Sequence, residues 1–312
     1  MIGYALRRLA WSVLVVWFVV SATFAMVALI PADPARTLVG HQASPEVVAE
    51  AAAAYCLDAS LAEQYGCFVG RLFRGDLGES FRTGRSITEI LGQKLWPTVQ
   101  LALAAMFLQL ALALPLGLIA ATRRNQLADI LARGTAYIGQ SAPTFFTALL
   151  LVYVFSFQLG WFPISGYGEG FWDRLHHLCL PALTLAVFGA AYYTRLLRSE
   201  MIEVAEEDYM RTARAKGLSE RWVVGKHGLR NGLGPVLTVI GLDLGVLMGG
   251  AVVTESIFAW PGLGREVLVA VFALDIPLIV GVVTLTSIAI IVANLMADLA
   301  SAWLDPRIRV TR

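Results

Sequence analysis

The chain has 312 residues, of which 57% are hydrophobic and only 15% are charged, and its mean hydropathy is +0.68. Soluble domains carry roughly 25% charged residues, so this composition excludes a soluble globular protein and indicates one that crosses a membrane several times. A net charge of +1 provides no basic field for nucleic acid. Three cysteines are too few for a disulfide-framed domain or a four-thiolate metal site.

Six stretches are apolar and long enough to span a membrane, which takes roughly 20 residues. The first has 22 uncharged residues, more than the ~7–15 apolar residues of a secretory signal, and is therefore predicted to be a retained helix. The predicted spans are Leu9–Ile30, Leu95–Thr122, Gly134 to beyond Gln158, Leu178 to about Thr194, about Leu233 to Ile257, and Ile276–Ala297.

Basic residues predict the orientation, because cytoplasmic loops collect Lys and Arg. Sixteen of the 24 Lys and Arg residues fall in the two termini, the loop between spans two and three, and the loop between spans four and five. Both termini are therefore predicted to be cytoplasmic. The chain then divides into a first span (1–30), an extracytoplasmic loop domain (31–94) and a membrane core (95–312).

The long extracytoplasmic loop has its own structural signals. Ser44–Pro45 is typical of a helix start, and the alanine-rich stretch Glu46–Tyr55 favours helix. The segment Arg74–Ser80 (RGDLGES) is typical of turns. Cys56 and Cys67 both lie in this disulfide-permissive compartment, and we expect either a disulfide between them or two free buried thiols.

Several catalytic and nucleotide-binding motifs are missing from the sequence. It contains no G-x-x-x-x-G-K-[ST], so it has no phosphate-binding loop of this type. It contains neither H-E-x-x-H nor G-x-S-x-G, and none of the four histidines lies clearly within a span. These observations disfavour an intramembrane enzyme. The adjacent His176 and His177 are interpreted as interfacial residues rather than metal ligands.

The loop between spans four and five, residues 195–232, has a regular pattern. The acidic residues Glu206–Asp208 precede the basic residues between Arg211 and Lys216, an order that complements a helix dipole. Gly217 stands where a helix C-cap is expected, and Ser219–Glu220 begins a second short helix. The small residues Thr212, Ala213 and Ala215, between the basic residues, would let a partner approach closely. The pattern alone also fits an ordinary solvated connector.

The segment Asp208–Leu218 (DYMRTARAKGL), followed by Leu229–Val236 (LRNGLGPV), resembles the EAA loop of binding-protein-dependent ABC importer permeases. The similarity is to the dipeptide, oligopeptide and nickel branch, and to the first of its two permease subunits. Arg211 stands where the motif has glutamate, and Gly234 where leucine is usual. Further segments that resemble this branch are Arg74–Ser80, Leu180–Ala186, Val253–Arg265 and Leu304–Arg309.

The resemblance implies an all-α membrane protein with the type I ABC importer permease fold, in a bacterial or archaeal cytoplasmic membrane. It implies a second permease subunit as partner in a heterodimer, two ATPase subunits, and an extracytoplasmic solute-binding protein. This chain would bind no cofactor, because ATP and Mg²⁺ would bind to the ATPase subunits. The residues implied in ATPase coupling are Asp208, Tyr209, Arg211, Thr212, Ala213, Arg214, Ala215, Lys216, Gly217 and Leu218.

The predicted fifth span contains small and acidic residues that need a reason. Gly241, Gly245 and Gly249 recur every four residues and predict a face for close helix packing. Asp243 lies about 200° round the helix from Gly241 and should face the bundle interior, since lipid exposure costs at least ~2.5–3.5 kcal/mol. It either hydrogen-bonds across helices or lines the translocation pathway. By helical spacing, its stripe includes Leu247, Gly250 and Thr254.

Trp260 and Pro261 follow the predicted fifth span. A tryptophan here is either an aromatic anchor at the membrane interface or part of an external gate that contacts the binding protein. Asn294 and Asp298, one turn apart in span six, are expected to bond across helices or to reach lipid headgroups. The candidate pathway or gate residues are Asp243, Leu247, Thr254, Glu255, Trp260 and Pro261.

These features favour a permease subunit of an ATP-driven importer for peptides, nickel or a related metal chelate. The alternative is an ATP-independent channel or facilitator. The patterned loop 195–232 favours the importer, because a facilitator has no use for a helix that docks an ATPase.

Overall fold

The computed structural model describes residues 2–28, 44–54, 56, 58–80, 82–249 and 251–304. Gly250, residues 29–43, the segment 305–312 and the side chain of Asp298 lie outside this description. All regular elements in the described part are helices. One isolated antiparallel bridge pairs Glu79 with Ser86. The α-helices are α1 (Ile2–Ala28), α2 (Pro45–Ala54), α3 (Leu61–Phe73), α4 (Ile87–Thr122), α5 (Leu127–Ser141), α6 (Thr144–Leu151), α7 (Gly170–Glu206), α8 (Asp208–Ala215), α9 (Glu220–Trp222), α10 (Leu229–Met248), α11 (Val252–Ile257), α12 (Leu263–Phe272) and α13 (Ile276–Leu304).

Five of the predicted spans correspond to helices long and apolar enough to cross a membrane, but the third is not the continuous helix that we expected. It consists of two helical arms, α5 and the segment Thr144–Gln158, which meet at an angle of 104°. The bend lies at Ala142 and Pro143, and Ala142 is extended because a residue before proline disfavours the helical region. Beyond α6 the second arm continues as a π-helical segment, Val152–Gln158.

The fifth predicted span, from about Leu233 to Ile257, also breaks, so the expected continuous helix is wrong. Helix α10 ends at Met248, and the short helix α11 begins at Val252. Consecutive glycines at 249 and 250 in the sequence have low helix propensity, which explains why the helix stops there. Thr254 and Glu255 therefore lie on a different helix from Asp243, and the predicted stripe of Asp243 and Leu247 does not extend to Thr254.

The fourth span is longer than predicted. Helix α7 has 37 residues, which at 1.5 Å per residue is about 55 Å, well beyond the ~30 Å hydrocarbon core. It continues past Thr194 to Glu206, so the first third of the loop 195–232 is part of this helix. Only Glu207 separates α7 from α8.

Small residues bring the long helices close together. A side chain at Gly117 of α4 would meet the Thr194 carbonyl oxygen on α7 at 3.0 Å. The predicted glycine face of α10 packs on α13, as expected. Its three glycines, Gly241, Gly245 and Gly249, lie against Ala297, Asn294 and Ile290 respectively. This spacing every four residues confirms the predicted seam.

The described part of the long loop packs on α1 and leads into α4. Helix α2 begins at Pro45, as predicted, and a disulfide joins Cys56 to Cys67 on α3 with a Cα–Cα distance of 6.5 Å. The Tyr65 and Phe68 rings of α3 pack on Phe24 of α1. The predicted turn at 74–80 is irregular in structure, and it leads by a tight connection into α4.

Candidate coupling site and buried carboxylates

One face of α8, the predicted coupling helix, packs against the chain itself. Met210 is fully buried and Ala213 is 7% exposed, and both belong to one buried cluster with Val223. Val204, near the end of α7, packs against the same cluster. Val223 begins a π-helical segment, Val223–Gly228, that leads directly into α10. The cluster therefore joins α8 to both of the long helices that flank it.

The C-terminus of α8 ends in the way that the sequence predicts. Gly217 has φ of +77°, a conformation that side chains disfavour. Its N–H donates to the Arg214 carbonyl at 2.9 Å, and the Leu218 N–H donates to the Ala213 carbonyl at 3.4 Å. These two bonds make a Schellman motif. An added Cβ at Gly217 would have no atom within 4 Å, so backbone conformation rather than space requires glycine there.

Side-chain hydrogen bonds fix α8 on both sides. Arg214 donates to the Glu220 carboxylate at 3.2 and 3.0 Å, and to the Ala205 carbonyl at 3.3 Å. The hydrogen bond to Glu220 raises the pKa of the Arg214 guanidinium. On the other side, the Asn231 amide of α10 donates to the Tyr209 hydroxyl at 3.0 Å. Because α7, α8 and α10 are joined in this way, we expect them to move together.

The remaining face of α8 is exposed. Arg211 is 71% exposed and forms a long ion pair, 3.7 Å, with Asp208. Thr212, Ala215 and Lys216 are also exposed, whereas Ala213 is not. The expected small-residue face is therefore wrong for Ala213, which packs inward. A basic and polar surface is left for a partner, with the apolar parts of Tyr209 and Leu218 at its edges.

Glu255 lies at the junction between α11 and α12, where its side chain is completely buried. The Thr98 hydroxyl of α4 donates to one carboxylate oxygen at 2.9 Å, and the Arg265 N–H donates to the other at 2.9 Å. The Leu263 N–H donates in turn to the Thr98 hydroxyl oxygen at 2.8 Å. Glu255 and Thr98 thus satisfy the unpaired N–H groups in the first turn of α12. Gly262 packs on the carboxylate with no room for a Cβ.

Trp260 is completely buried inside the protein and presents no surface to lipid headgroups, so the anchor interpretation is wrong. Its indole N–H donates to the Pro97 carbonyl at 2.9 Å, and its ring packs edge-on against Tyr167 at 4.8 Å. Pro261, next to it, is partly buried. The gate interpretation stays a prediction for both residues, since their packing alone does not test it.

Asp243 faces away from the glycine seam, as expected, toward α4 and α7. The Tyr193 hydroxyl donates to its carboxylate at 3.1 Å, and the Gln109 side chain lies beside it. Tyr193 and Gln109 are buried, whereas Asp243 is partly exposed. No salt bridge to Asp243 is found in the described part of the chain. Leu247, one turn along, packs in the α4–α10 core.

Two buried carboxylates escaped sequence reasoning. Asp129, in the first turn of α5, accepts two hydrogen bonds from Arg198 of α7. Asp275 caps α13 by accepting from the Leu278 N–H at 3.3 Å, and the Ser80 hydroxyl donates to it at 2.6 Å. The available signals were an acidic residue directly before a span and one in a first turn after a basic loop. Orientation rules ignore both.

Two family models match the sequence. Residues 113–310 match the binding-protein-dependent transport system inner membrane component, and residues 1–102 match the N-terminal part of a binding-protein-dependent transport system membrane component. The dipeptide transport system permease protein DppB of Alkalihalophilus pseudofirmus is 36% identical, with 99% of this chain and 100% of the relative covered. The glutathione transport system permease protein GsiC of Escherichia coli K12 is 38% identical, with 99% of each covered.

Solved structures with the same fold are more distant in sequence. A chain of the MetNI methionine ABC transporter in an inward-facing conformation superposes with a TM-score of 0.58 at 18% identity. It covers 69% of this chain and 96% of its own length. A chain of an amino acid ABC transporter gives a TM-score of 0.51 at 16% identity and covers 70% of this chain and 94% of its own. At these identities the likeness concerns the fold alone.

Proposed function

Because the chain belongs to the family of binding-protein-dependent transport system inner membrane components, we propose that α8 is the helix through which ATPase subunits drive it. The chain is a permease subunit of an ABC importer, a multi-pass inner-membrane protein with the type I importer permease fold. One observation carries the proposal for α8: the helix is fixed on one side and exposed on the other. Transmission of a rigid-body movement needs such a packed element.

The partners follow from this role. A second, homologous permease subunit completes the translocation pathway, two ATPase subunits power the complex, and an extracytoplasmic binding protein delivers the cargo. One of the ATPase subunits binds the exposed face of α8 in this chain. ATP and Mg²⁺ bind to the ATPase subunits, since this sequence contains no phosphate-binding loop of the common type. The chain itself is non-catalytic and binds no cofactor. The ATP-independent facilitator becomes the weaker hypothesis, because it gives α8 no task.

We infer that the cargo is a peptide. The similarity to permeases named for dipeptides and for glutathione, over the whole chain, supports peptides above nickel or a metal chelate. The γ-linked peptide glutathione and ordinary dipeptides share a free amino group and carboxylates. Uptake of both by cells that express the complete importer, compared with nickel uptake, distinguishes these cargo classes.

Both termini are proposed to be cytoplasmic, which places α8 on the ATPase side. The distribution of Lys and Arg supports this orientation. A cysteine introduced at Ser219, an exposed position near α8, is expected to resist an impermeant thiol reagent in intact cells and to react in inverted vesicles. Labelling in intact cells would contradict the orientation.

The test of coupling is Gly217→Val in the complete importer, purified with its ATPase subunits and placed in lipid nanodiscs. A β-branched residue at φ +77° costs about 1–3 kcal/mol, which distorts the end of α8 and not the spans. We expect the complex to assemble with basal ATPase activity, while stimulation by the binding protein loaded with a dipeptide falls about tenfold, as 1.4 kcal/mol would give.

Gly225→Val is the matched control. Gly225 lies in the same cytoplasmic loop, 195–232, within the π-helical segment Val223–Gly228. It is exposed, does not have a positive φ, and has no atom within 4 Å of an added Cβ. This variant should keep at least half of the wild-type stimulation. Full stimulation of ATPase activity in Gly217→Val, or an equal loss in both variants, would show that the end of α8 does not transmit movement from the ATPase subunits.

A further inference from the structure

We propose that Asp129 is a positioning residue for the movement that the ATPase subunits transmit through α8. It fixes α5, the first arm of the bent third span, to α7, so that α5 moves together with the coupling helix. The proposal rests on the proposed function of α8. It adds a second consequence of the movement of α8, because α7 then carries the bent third span along with it.

The geometry at Asp129 is that of a fixed joint. The carboxylate is completely buried. Arg198 donates to both carboxylate oxygens, from Nε at 2.7 Å and from Nη2 at 2.8 Å. The Asn125 N–H donates at 2.9 Å, and Arg133 forms an ion pair at 3.1 Å. A two-point contact between a guanidinium and a carboxylate fixes the relative orientation of their helices as well as their distance.

The position of the joint connects it to α8. Arg198 lies eight residues, or about 12 Å, before the end of α7, and α8 begins two residues later. A second close contact holds the other end of α5 to α7. There, an added Cβ at Gly139 would lie 3.1 Å from Val187. Helix α5 is therefore held to α7 at both ends, and the chain turns by 104° only after it.

The same two parts of the chain share a second ion pair, which provides a matched control. Arg124, in the turn before α5, contacts Glu206, at the end of α7, at 3.4 Å. Both side chains are more than half exposed, 54% and 72%, so solvent screens this pair. The Asp129–Arg198 contact has the opposite properties: burial, short distances and two-point geometry. Only the buried pair is expected to hold α5 in place.

The experiment uses the complete importer in nanodiscs, with spin labels on Leu131 of α5 and Glu203 of α7, which are both exposed. The distance between the labels is measured before and after trapping with ATP and vanadate, which requires no cargo. In the wild type the distance should stay the same. Asp129→Asn keeps the shape but removes the charge, and Arg198→Lys keeps the charge but removes the planar fork.

Both variants should broaden the distance distribution and lower the dipeptide-dependent stimulation of ATPase activity about fivefold per assembled complex. Glu206→Gln should change neither quantity. If Asp129→Asn does not assemble, Arg198→Lys decides the outcome.

Three results would overturn the proposal: a wild-type distance that changes on trapping, normal stimulation in the variants, or lower thermal stability with unchanged distance and stimulation. Gly217→Val, measured in the same preparation, separates this proposal from the function of α8. If Gly217→Val uncouples the complex while the Asp129 and Arg198 variants do not, only the role of Asp129 fails. If Gly217→Val also keeps full stimulation, the proposed function of α8 fails.

Discussion

The junction around Glu255 and the network around Asp243 each hold one carboxylate, but they satisfy it in different ways. Glu255 is completely buried and is bonded by the first turn of α12 and by the Thr98 hydroxyl. Asp243 is partly exposed and faces two neutral side chains, the Tyr193 hydroxyl, which donates to it, and the Gln109 amide. The donors therefore differ in kind: one set includes backbone in a helix terminus, and the other consists of side chains that can rotate.

This difference separates a holding role from an exchange role. A backbone N–H in a helix terminus cannot turn away, so loss of Glu255 would leave buried donors unpaired. A hydroxyl or amide can release a carboxylate and bond elsewhere. We therefore expect the Glu255 junction to determine how stable the permease is, and Asp243 to be the carboxylate that can change partners during transport.

The largest effect is expected from Glu255→Ala. It leaves the Arg265 N–H and the Thr98 hydroxyl without their partner and opens a cavity beside Gly262. The combined cost should be about 3 kcal/mol, since each unpaired buried donor costs about 1–3 kcal/mol. Thermal unfolding of the purified permease, followed by the accessibility of the free thiol of Cys179, measures the loss.

Glu266→Gln is the control for this prediction, because Glu266 lies on α12 itself. Its ion pair with Lys94, at 3.1 Å, is partly exposed, and removal should cost no more than about 1 kcal/mol. Equal decreases in unfolding temperature for the two variants would mean that the junction is no more important for stability than this partly exposed ion pair. A decrease confined to Glu255→Ala would confirm the holding role.

The parts of the fold that could be predicted are those set by local sequence. Apolar length located the spans, a glycine after a basic run located the end of α8 at Gly217, and spacing every four residues located the seam at Gly245. Each of these features depends on residues within a few turns of one another. Their physical causes, such as desolvation of the backbone or the allowed φ of glycine, act without knowledge of the partner helix.

The parts that could not be predicted depend on distant partners. Glu255 meets Thr98 across 157 residues, and Asp129 meets Arg198 across 69. The stripe from Asp243 to Thr254 assumed an unbroken helix, and the break after Met248 separates Thr254 from it. Proline at 143 could have indicated the bend in span three, but hydropathy does not distinguish a bent span from a straight one.

The smallest effect on stability is expected from Asp243→Asn, which keeps the side-chain shape and an acceptor for the Tyr193 hydroxyl. If the carboxylate meets a cationic group of the cargo, such as a peptide amino terminus, uptake should fall about fivefold. This is the difference of about 1 kcal/mol between charged and neutral hydrogen bonds. Assembly and basal ATPase activity should be preserved. The measurement is uptake of a radiolabelled dipeptide, normalised to assembled complex.

Tyr193→Phe completes the comparison, because it removes a donor to Asp243 and leaves the carboxylate charged. If Asp243 only joins helices, Tyr193→Phe, which removes the hydrogen bond, should lower assembly or thermal stability more than Asp243→Asn, which keeps an acceptor. Uptake per complex should then be normal in both variants. If Asp243 contacts the cargo, only Asp243→Asn should lower normalised uptake, since Tyr193→Phe keeps the negative charge that attracts an ammonium group. Unchanged normalised uptake in Asp243→Asn would therefore remove Asp243 from the pathway and leave it, like Glu255, a holding residue.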